Sequence, residues 1–331
     1  MRSLAQNVFL SRLFLPLFVP LSVLYGLAVR LRNLFFDLRI YRTHKLNTPV
    51  LSVGNISTGG TGKTILVQSI AENLLAHDIK PAILSRGYGR RTSGLQIVSD
   101  GNRIYGDPFS SGDEPYLLSR NLPGVPVVVS EDRVKGAIHI EENYSPEMIL
   151  LDDGFQHRSL HRDLDIVLLD RSGSTREHLL PWGDLREGIM SLARADIVLN
   201  AKSPVVENDD AEFSLANHKF LTSHDGNMIP IEALENGFGV FAGLGNNTFF
   251  FRSIEESIGS PLTAIFLPDH CRYDASDIAK IPLENCPAWV TSQKDIVKLS
   301  SELCDRYNIY SLGVSGRLPN ALFRELKHYF K

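Results

Sequence analysis

The stretch PVLSVGNISTGGTGKTILVQSIAENLLA, Pro49 to Ala76, leaves few folds open. A short apolar run of strand character feeds a glycine-rich loop, and the loop runs directly into an apolar-rich helical pattern. A buried strand joined to a helix this tightly belongs to a parallel α/β sheet. The loop is also shaped for phosphate. Gly59, Gly60 and Gly62 let backbone N–H groups curl round an anion at the helix N-terminus, Lys63 supplies charge to the outer phosphates, and the Thr64 hydroxyl suits a magnesium ion. Ser57 stands five residues before Gly62, where the common phosphate-loop pattern has its first glycine. Ser57, Thr58, Gly59, Gly60, Thr61, Gly62, Lys63 and Thr64 are the expected nucleotide-binding residues.

Further runs repeat the alternation. Pro81–Ser85, Val125–Ser130, Met148–Asp153, Asp165–Asp170 and Asp196–Asn200 read as buried strands separated by helical stretches. They predict a mainly parallel sheet with helices on both faces. Beyond about Ala201 a polar connection leads to Phe238–Gly243, Leu262–Phe266, Ala288–Ser292 and Ile309–Val314, which predict a second, smaller α/β unit. The expected division is therefore an N-terminal segment to residue 45, a phosphate-loop domain over 46–200, and a C-terminal domain over 201–331 that closes over the site.

A triphosphate site needs a carboxylate at the end of a neighbouring strand. Asp152 and Asp153 supply two after the apolar MILL run, and adjacent carboxylates call for a cation such as magnesium beside them. His157 and His161 stand at i, i+4, the spacing of a metal pair on a helix, but no third ligand accompanies them. Arg86, Arg90 and Arg91 follow the second strand, and Arg133, Arg158 and Arg186 lie in the stretches SEDRVKG, LLDDGFQHRSLHRDLDIVLLD and LLPWGDLRE. Guanidinium forks suit phosphate, and surface ion pairs are the competing use. The TSQKD stretch, Thr291 to Asp295, is a weak candidate for contacting a nucleotide base.

The N-terminus has a different character. Leu13 to Val29 contains no charged residue over 17 positions, the short end of what crosses a bilayer. Pro16 and Pro20 predict a kinked or re-entrant segment rather than a straight helix. Leu31, Leu34, Phe35 and Leu38 then form one apolar helical face, with Arg30, Arg32 and Arg39 available to lipid phosphates. The Lys/Arg excess after the apolar run predicts that the bulk of the chain stays cytoplasmic. Packing of this segment on the protein's own core, or a cleaved signal peptide, are the alternatives. A formal charge of −4 gives no reason to expect nucleic acid, and three cysteines without Cys-x-x-Cys spacing argue against a disulfide framework or zinc site.

Seven stretches carry a more specific likeness: GNISTGGTGKT, ILSRGYGRR, SGDEPYLLSR, SEDRVKG, LLDDGFQHRSLHRDLDIVLLD, LLPWGDLRE and LPDHCRYDASD. Together they resemble the tetraacyldisaccharide 4'-kinases of lipid A synthesis, from the N-terminal apolar segment to about Leu299. The resemblance implies an enzyme at the cytoplasmic face of a bacterial inner membrane. It would move the γ-phosphoryl of ATP, with Mg2+, to the 4'-hydroxyl of a tetraacylated disaccharide 1-phosphate. It implies catalytic roles for Asp113, His270 and Lys63. It implies substrate contacts for Arg86, Arg133, His157 and Arg186, and metal contacts for Thr64, Asp152 and Asp153. The expected partners are the lipid substrate and the membrane surface, with no nucleic acid and no obligate protein. The family shares the glycine placement, so Ser57 is no departure from it.

Two other classes compete. A membrane-associated ATPase switch with a Gly-Gly-x-Gly-Lys loop carries a lysine just before the glycines, where this chain has Thr58. A GTP-binding switch needs an Asn-Lys-x-Asp stretch that is absent from the sequence.

Overall fold

The computed structural model describes residues 2–60, 62–170, 178–202 and 212–328, so Thr61 lies outside the described residues. Helix α1 (Arg2–Asp37) leads into β1 (Val50–Gly54), the glycine loop and α2 (Lys63–Leu75). Then come β2 (Pro81–Ser85), β3 (Gln96–Asp100), α3 (Pro108–Ser111), α4 (Asp113–Asn121), β4 (Pro126–Val129), α5 (Arg133–Tyr144), β5 (Met148–Asp152), β6 (Leu164–Asp170) and β7 (Ile197–Lys202). The remainder comprises β8 (Glu212–Thr222), β9 (Met228–Pro230), β10 (Gly239–Ala242), α6 (Asn247–Ser257), β11 (Thr263–Phe266), α7 (Ala275–Ile278), β12 (Trp289–Ser292), α8 (Gln293–Ile296), α9 (Ser301–Arg306), β13 (Ile309–Arg317) and α10 (Asn320–Lys327).

The strands join in one sheet in the order β11-β10-β12-β13-β8-β7-β6-β1-β5-β2-β4-β3, with β9 on β8. Pairings are parallel except at β8–β13, β3–β4 and β8–β9. Successive side chains of each inner strand go to opposite faces. In β5, Met148 and Leu150 join the core with Leu66, Val67, Ile70 and Leu74 of α2, while Ile149 and Leu151 join Ala137 and Ile140 of α5. The second half repeats the division, with Phe241 and Trp289 in one cluster and Val240, Ala242 and Val290 in another. Both faces are covered, as the apolar runs require.

Three strands escaped the apolar-run reading: β3, β8 and β9. Of these, β8 matters most. It pairs parallel with β7 and antiparallel with β13, so the sheet continues through the expected boundary near residue 201. The second unit is an extension of the first sheet rather than a separate one.

Helix α1 is one continuous helix rather than a re-entrant segment. It passes through Pro16 and Pro20 without a break. The two missing N–H groups are four residues apart and so fall on one side, leaving the ladder intact around the rest of the circumference. Over its described side chains the helix has two faces. Ser22 donates to the Leu179 carbonyl (2.8 Å), Tyr25 to that of Arg186 (2.8 Å), and Arg32 and Asn33 hold the buried Glu187 at 3.0 and 2.9 Å. On the opposite flank Leu24, Leu27, Leu31 and Leu34 are exposed, Leu24 to 62%. The helix ends where Arg39 takes φ 58°, a left-handed residue just past its end. Leu38 lies beyond that end and is also exposed. Among the described residues, one helix is long and apolar enough to cross a membrane.

Candidate active site

Strand β1 lies between β5 and β6, so the glycine loop opens at the carboxyl edge of the sheet centre, where open α/β sheets bind ligands. Gly59 (φ 106°) and Gly62 (φ 87°) take left-handed backbone that a side chain would strain. Gly62 caps α2 without any side-chain bond, leaving the first N–H groups of the helix for an anion. Ser57 and Thr58 are placed differently. Ser57 bridges to Leu185, and the Thr58 N–H donates to the Asp184 carbonyl at 2.7 Å. Their backbone is therefore committed to the Leu179–Glu187 segment that also docks α1.

Asp152 ends β5 and stands level with Val53 of β1. It is buried, and Ser85 donates to its Oδ2 at 3.1 Å, while Oδ1 has no partner among the described residues. Burial first, then the neighbouring Asp153 and Glu114, push its carboxyl up to about 7. Asp153 has the opposite balance. Burial raises it, but Lys63 (3.6 Å) and Arg186 (2.8 Å) overcome that and hold it below the usual carboxylate range. Its φ of 53° is left-handed, a costly conformation of the kind that gathers at functional sites.

Arg133, the first residue of α5, is buried. It donates to the Ser130 carbonyl through Nη1, while Nε and Nη2 find no partner among the described residues. Burial lowers the guanidinium to about 10. His157 is pushed down to about 4 by burial and by the charges of Arg133 and Arg86, so it is neutral at physiological pH. The segment carrying it is a run of turns, so His157 and His161 do not share a helical face. His161 instead meets Asp163 at 3.5 Å. Arg86 is exposed at the end of β2. Arg90 pairs with Glu131, and Arg158 is committed to α1 through Asp37 (2.6 Å) and the Asn33 carbonyl (3.0 Å).

A second cluster stands beside the first. Asp113, first residue of α4, meets His270 Nδ1 at 3.1 Å across 157 positions. Gly112, just before it, has φ 95°, and a Cβ there would fall 3.1 Å from the Gly87 Cα, so the start of α4 lies close against the loop after β2. His270 has φ 55° and lies 5.5 Å from the Tyr88 ring, centre to centre. Burial raises the Asp113 carboxyl, but the His270 bond and the nearby Lys298 and Lys294 outweigh it, and the net shift is down. The same bond raises His270 against burial and Lys294. The bond thus favours the carboxylate form of Asp113 and the protonated form of His270.

Sequence reasoning missed Lys294 and Lys298. Lys294 sits in TSQKD, but it meets Glu114 (3.2 Å), Asp269 (3.7 Å) and His270 Nε2 (3.5 Å), so this stretch serves the Asp113–His270 pair. Lys298 interrupts the apolar run IVKL, a signal visible in the sequence that gives no hint of its partners.

The family model of the tetraacyldisaccharide-1-P 4'-kinases (LpxK) matches residues 14–331. The chain belongs to the tetraacyldisaccharide 4'-kinase family. It is 39% identical over 310 residues to the tetraacyldisaccharide 4'-kinase of Geobacter metallireducens, covering 89% of this chain and 91% of that one. To the kinase of that name from Aquifex aeolicus it is 39% identical over 291 residues, covering 85% and 89%. The fold matches a crystal structure of Aquifex aeolicus LpxK in complex with ATP, with a TM-score of 0.80 and 34% identity, over 97% of this chain and 100% of that one. The mixed α/β fold with its mostly parallel sheet is thus that of a tetraacyldisaccharide 4'-kinase.

Proposed function

We propose that this chain transfers the γ-phosphoryl group of ATP to the 4'-hydroxyl of a tetraacyldisaccharide 1-phosphate, at the cytoplasmic face of a bacterial inner membrane. The observation that carries the reading is the Asp113–His270 contact, 3.1 Å, assembled from distant parts of the chain, with Glu114 next to it close enough for its charge to act on Asp152. His270 and Lys298 both meet Asp113 at Oδ2, which leaves Oδ1 open to a hydroxyl, so the Asp113 carboxylate is the acceptor and His270 orients it. As the 4'-oxygen bonds to the γ-phosphorus, its proton passes to Asp113. The bond to the β–γ bridging oxygen breaks, its electron pair leaves with ADP, and Asp113 returns the proton to solvent.

The other residues divide the charge. The N-terminus of α2 and Lys63 hold the triphosphate, while Arg86, Arg133 and Arg186 face the developing charge, where preorganised donors act most strongly. His157, being neutral, contributes a hydrogen bond only. Magnesium fits the carboxylate end. Asp152 Oδ1 is a buried acceptor without a partner among the described residues, Thr64 stands in the first turn of α2, and Asp153 adjoins both Asp152 and Lys63. When bound through these residues, the ion neutralises phosphate charge.

A lipid acceptor explains the exposed flank of α1. Arg30, Arg39, Arg42 and Lys45 are exposed around its C-terminal end, suited to lipid phosphates. The test is transfer of labelled γ-phosphate from ATP to a tetraacylated disaccharide 1-phosphate in detergent. Labelled lipid is the expected result. Hydrolysis indifferent to the lipid, with no labelled product, would overturn the reading in favour of an ATPase switch.

A further inference from the structure

Lys298 is the most deeply buried lysine near the site, and the mechanism above assigns it no step. Its side chain is 1% exposed. Three acceptors surround its ammonium: Asp113 Oδ2 at 3.2 Å, Asp295 Oδ1 at 3.3 Å and the Cys271 carbonyl at 3.0 Å. An ammonium has three donors, so this one is fully satisfied. We infer that Lys298 is a positioning residue for phosphoryl transfer, which fixes the Asp113 carboxylate and the backbone beside His270 in one geometry.

The arrangement exceeds what a structural lysine needs. Asp295, itself 0% exposed, would neutralise Lys298 from three residues away, and its other oxygen is held by Ser292 (2.6 Å) and the Gly243 N–H (3.1 Å). Yet the ammonium also reaches α4 in the other half of the molecule. Both Lys298 and His270 meet Asp113 at Oδ2, which leaves Oδ1 as the oxygen that neither holds. The Cys271 carbonyl belongs to the residue after His270, so the same ammonium anchors the strained turn that presents the imidazole. Lys298 neither gives nor takes a proton; it acts through Asp113.

The charged groups facing Asp113 are Glu114 on its own helix, Asp269 and His270 before α7, Lys294 on α8, and Lys298 with Asp295 behind it. Removing Lys298 deletes one of the two lysine charges that favour the carboxylate. The Asp113 pKa then rises, and the acid limb of the activity profile moves to higher pH.

The inference rests on Asp113 as proton acceptor, so wild-type lipid labelling is measured first; its failure would sink that reading rather than this one. With wild type active, Lys298→Met is expected to lower kcat by about a hundredfold, the scale of general-base catalysis. KM for ATP should stay within a few-fold, and the acid limb should shift upward. Lys298→Arg restores the charge and is expected to recover most of kcat with the limb back in place. In an Asp113→Asn background, Lys298→Met should cost little more, because both act through one carboxylate. An unchanged pH profile with only a lowered melting temperature would overturn the inference. So would an equal loss in the Asp113→Asn background. If the Met variant does not fold, Lys298→Gln, which keeps donors without charge, carries the same two measurements.

Discussion

Arg186 meets both carboxylate oxygens of Asp153 through one nitrogen, at 2.8 and 3.0 Å. The backbone carbonyl of the same arginine accepts the Tyr25 hydroxyl of α1 at 2.8 Å. One residue therefore links the exposed N-terminal helix to the carboxylate beside Lys63. The segment around it serves both ends, since Asp184 also holds Thr58 of the glycine loop.

Truncations separate anchoring from docking. Removing residues 1–17 leaves Ser22, Tyr25, Arg32 and Asn33 on the body, so activity on detergent-dispersed substrate should survive while membrane binding weakens. Removing residues 1–29 also strips the Ser22 and Tyr25 contacts and should lower both melting temperature and kcat. Release from membranes should still be partial, because Leu31, Leu34, Leu38 and Ile40 remain exposed. Sedimentation with vesicles checks this, and a fully soluble product would show that the flank does not meet lipid.

Arg133 should trade stability for function. A buried guanidinium with two nitrogens that find no partner among the described residues is costly to the folded state. Arg133→Met should therefore raise the melting temperature by a few degrees, or leave it level, while KM for ATP or lipid rises about tenfold, the value of one charge-assisted bond. Unchanged kinetics would remove Arg133 from the phosphate site.

Much of the architecture was legible because buried parallel strands leave continuous apolar runs. Pro81–Ser85 matches β2 at both ends, and MILL with its following aspartates marks β5. Strand β8 was not legible. Its sequence EFSLANHKFLT mixes both polarities, because it follows a polar connection and pairs in both directions. Of the candidate site, the local placement was readable: Lys63 and Thr64 open α2 behind the glycine loop, and Asp152 ends β5. The long-range part was not. No periodicity signals that Lys298 ends beside Asp113, and the pairing of Asp113 with His270 came from family likeness alone. The continuity of α1 through two prolines was missed for a different reason, since single-residue propensity says nothing of which side the missing donors fall on.

Magnesium dependence should centre on Asp152. Among the described residues its Oδ1 lacks a partner, whereas Asp153 is already engaged by Lys63 and Arg186. Asp152→Asn should raise the Mg2+ needed for half-maximal activity about tenfold or more, comparable to losing part of a metal site's support. Asp153→Asn should also free Lys63 and Arg186, and so change KM for ATP as well. Titrating Mg2+ at fixed ATP checks both. A Mg2+ requirement identical to wild type in Asp152→Asn would exclude it as a ligand.

The Asp113–His270 pair makes a prediction in pH and one in additivity. His270 lowers the Asp113 carboxyl below 3.8, so the pair's stabilisation is lost as pH falls through that lowered value. Asp113 raises His270 above 6.5, so the pair's contribution is also lost as pH rises through that higher value. Activity needs the carboxylate, so His270→Ala should move the acid limb of kcat to higher pH, since the bond that depresses Asp113 is gone. Each single alanine variant should lose about a hundredfold or more in kcat, the range of a general base. Because the two act as one unit, the double variant should be little worse than the poorer single. Multiplying losses, or an acid limb that stays put in His270→Ala, would mean that the histidine contacts the lipid or the nucleotide on its own account and that Asp113 is aimed by Lys298 without it.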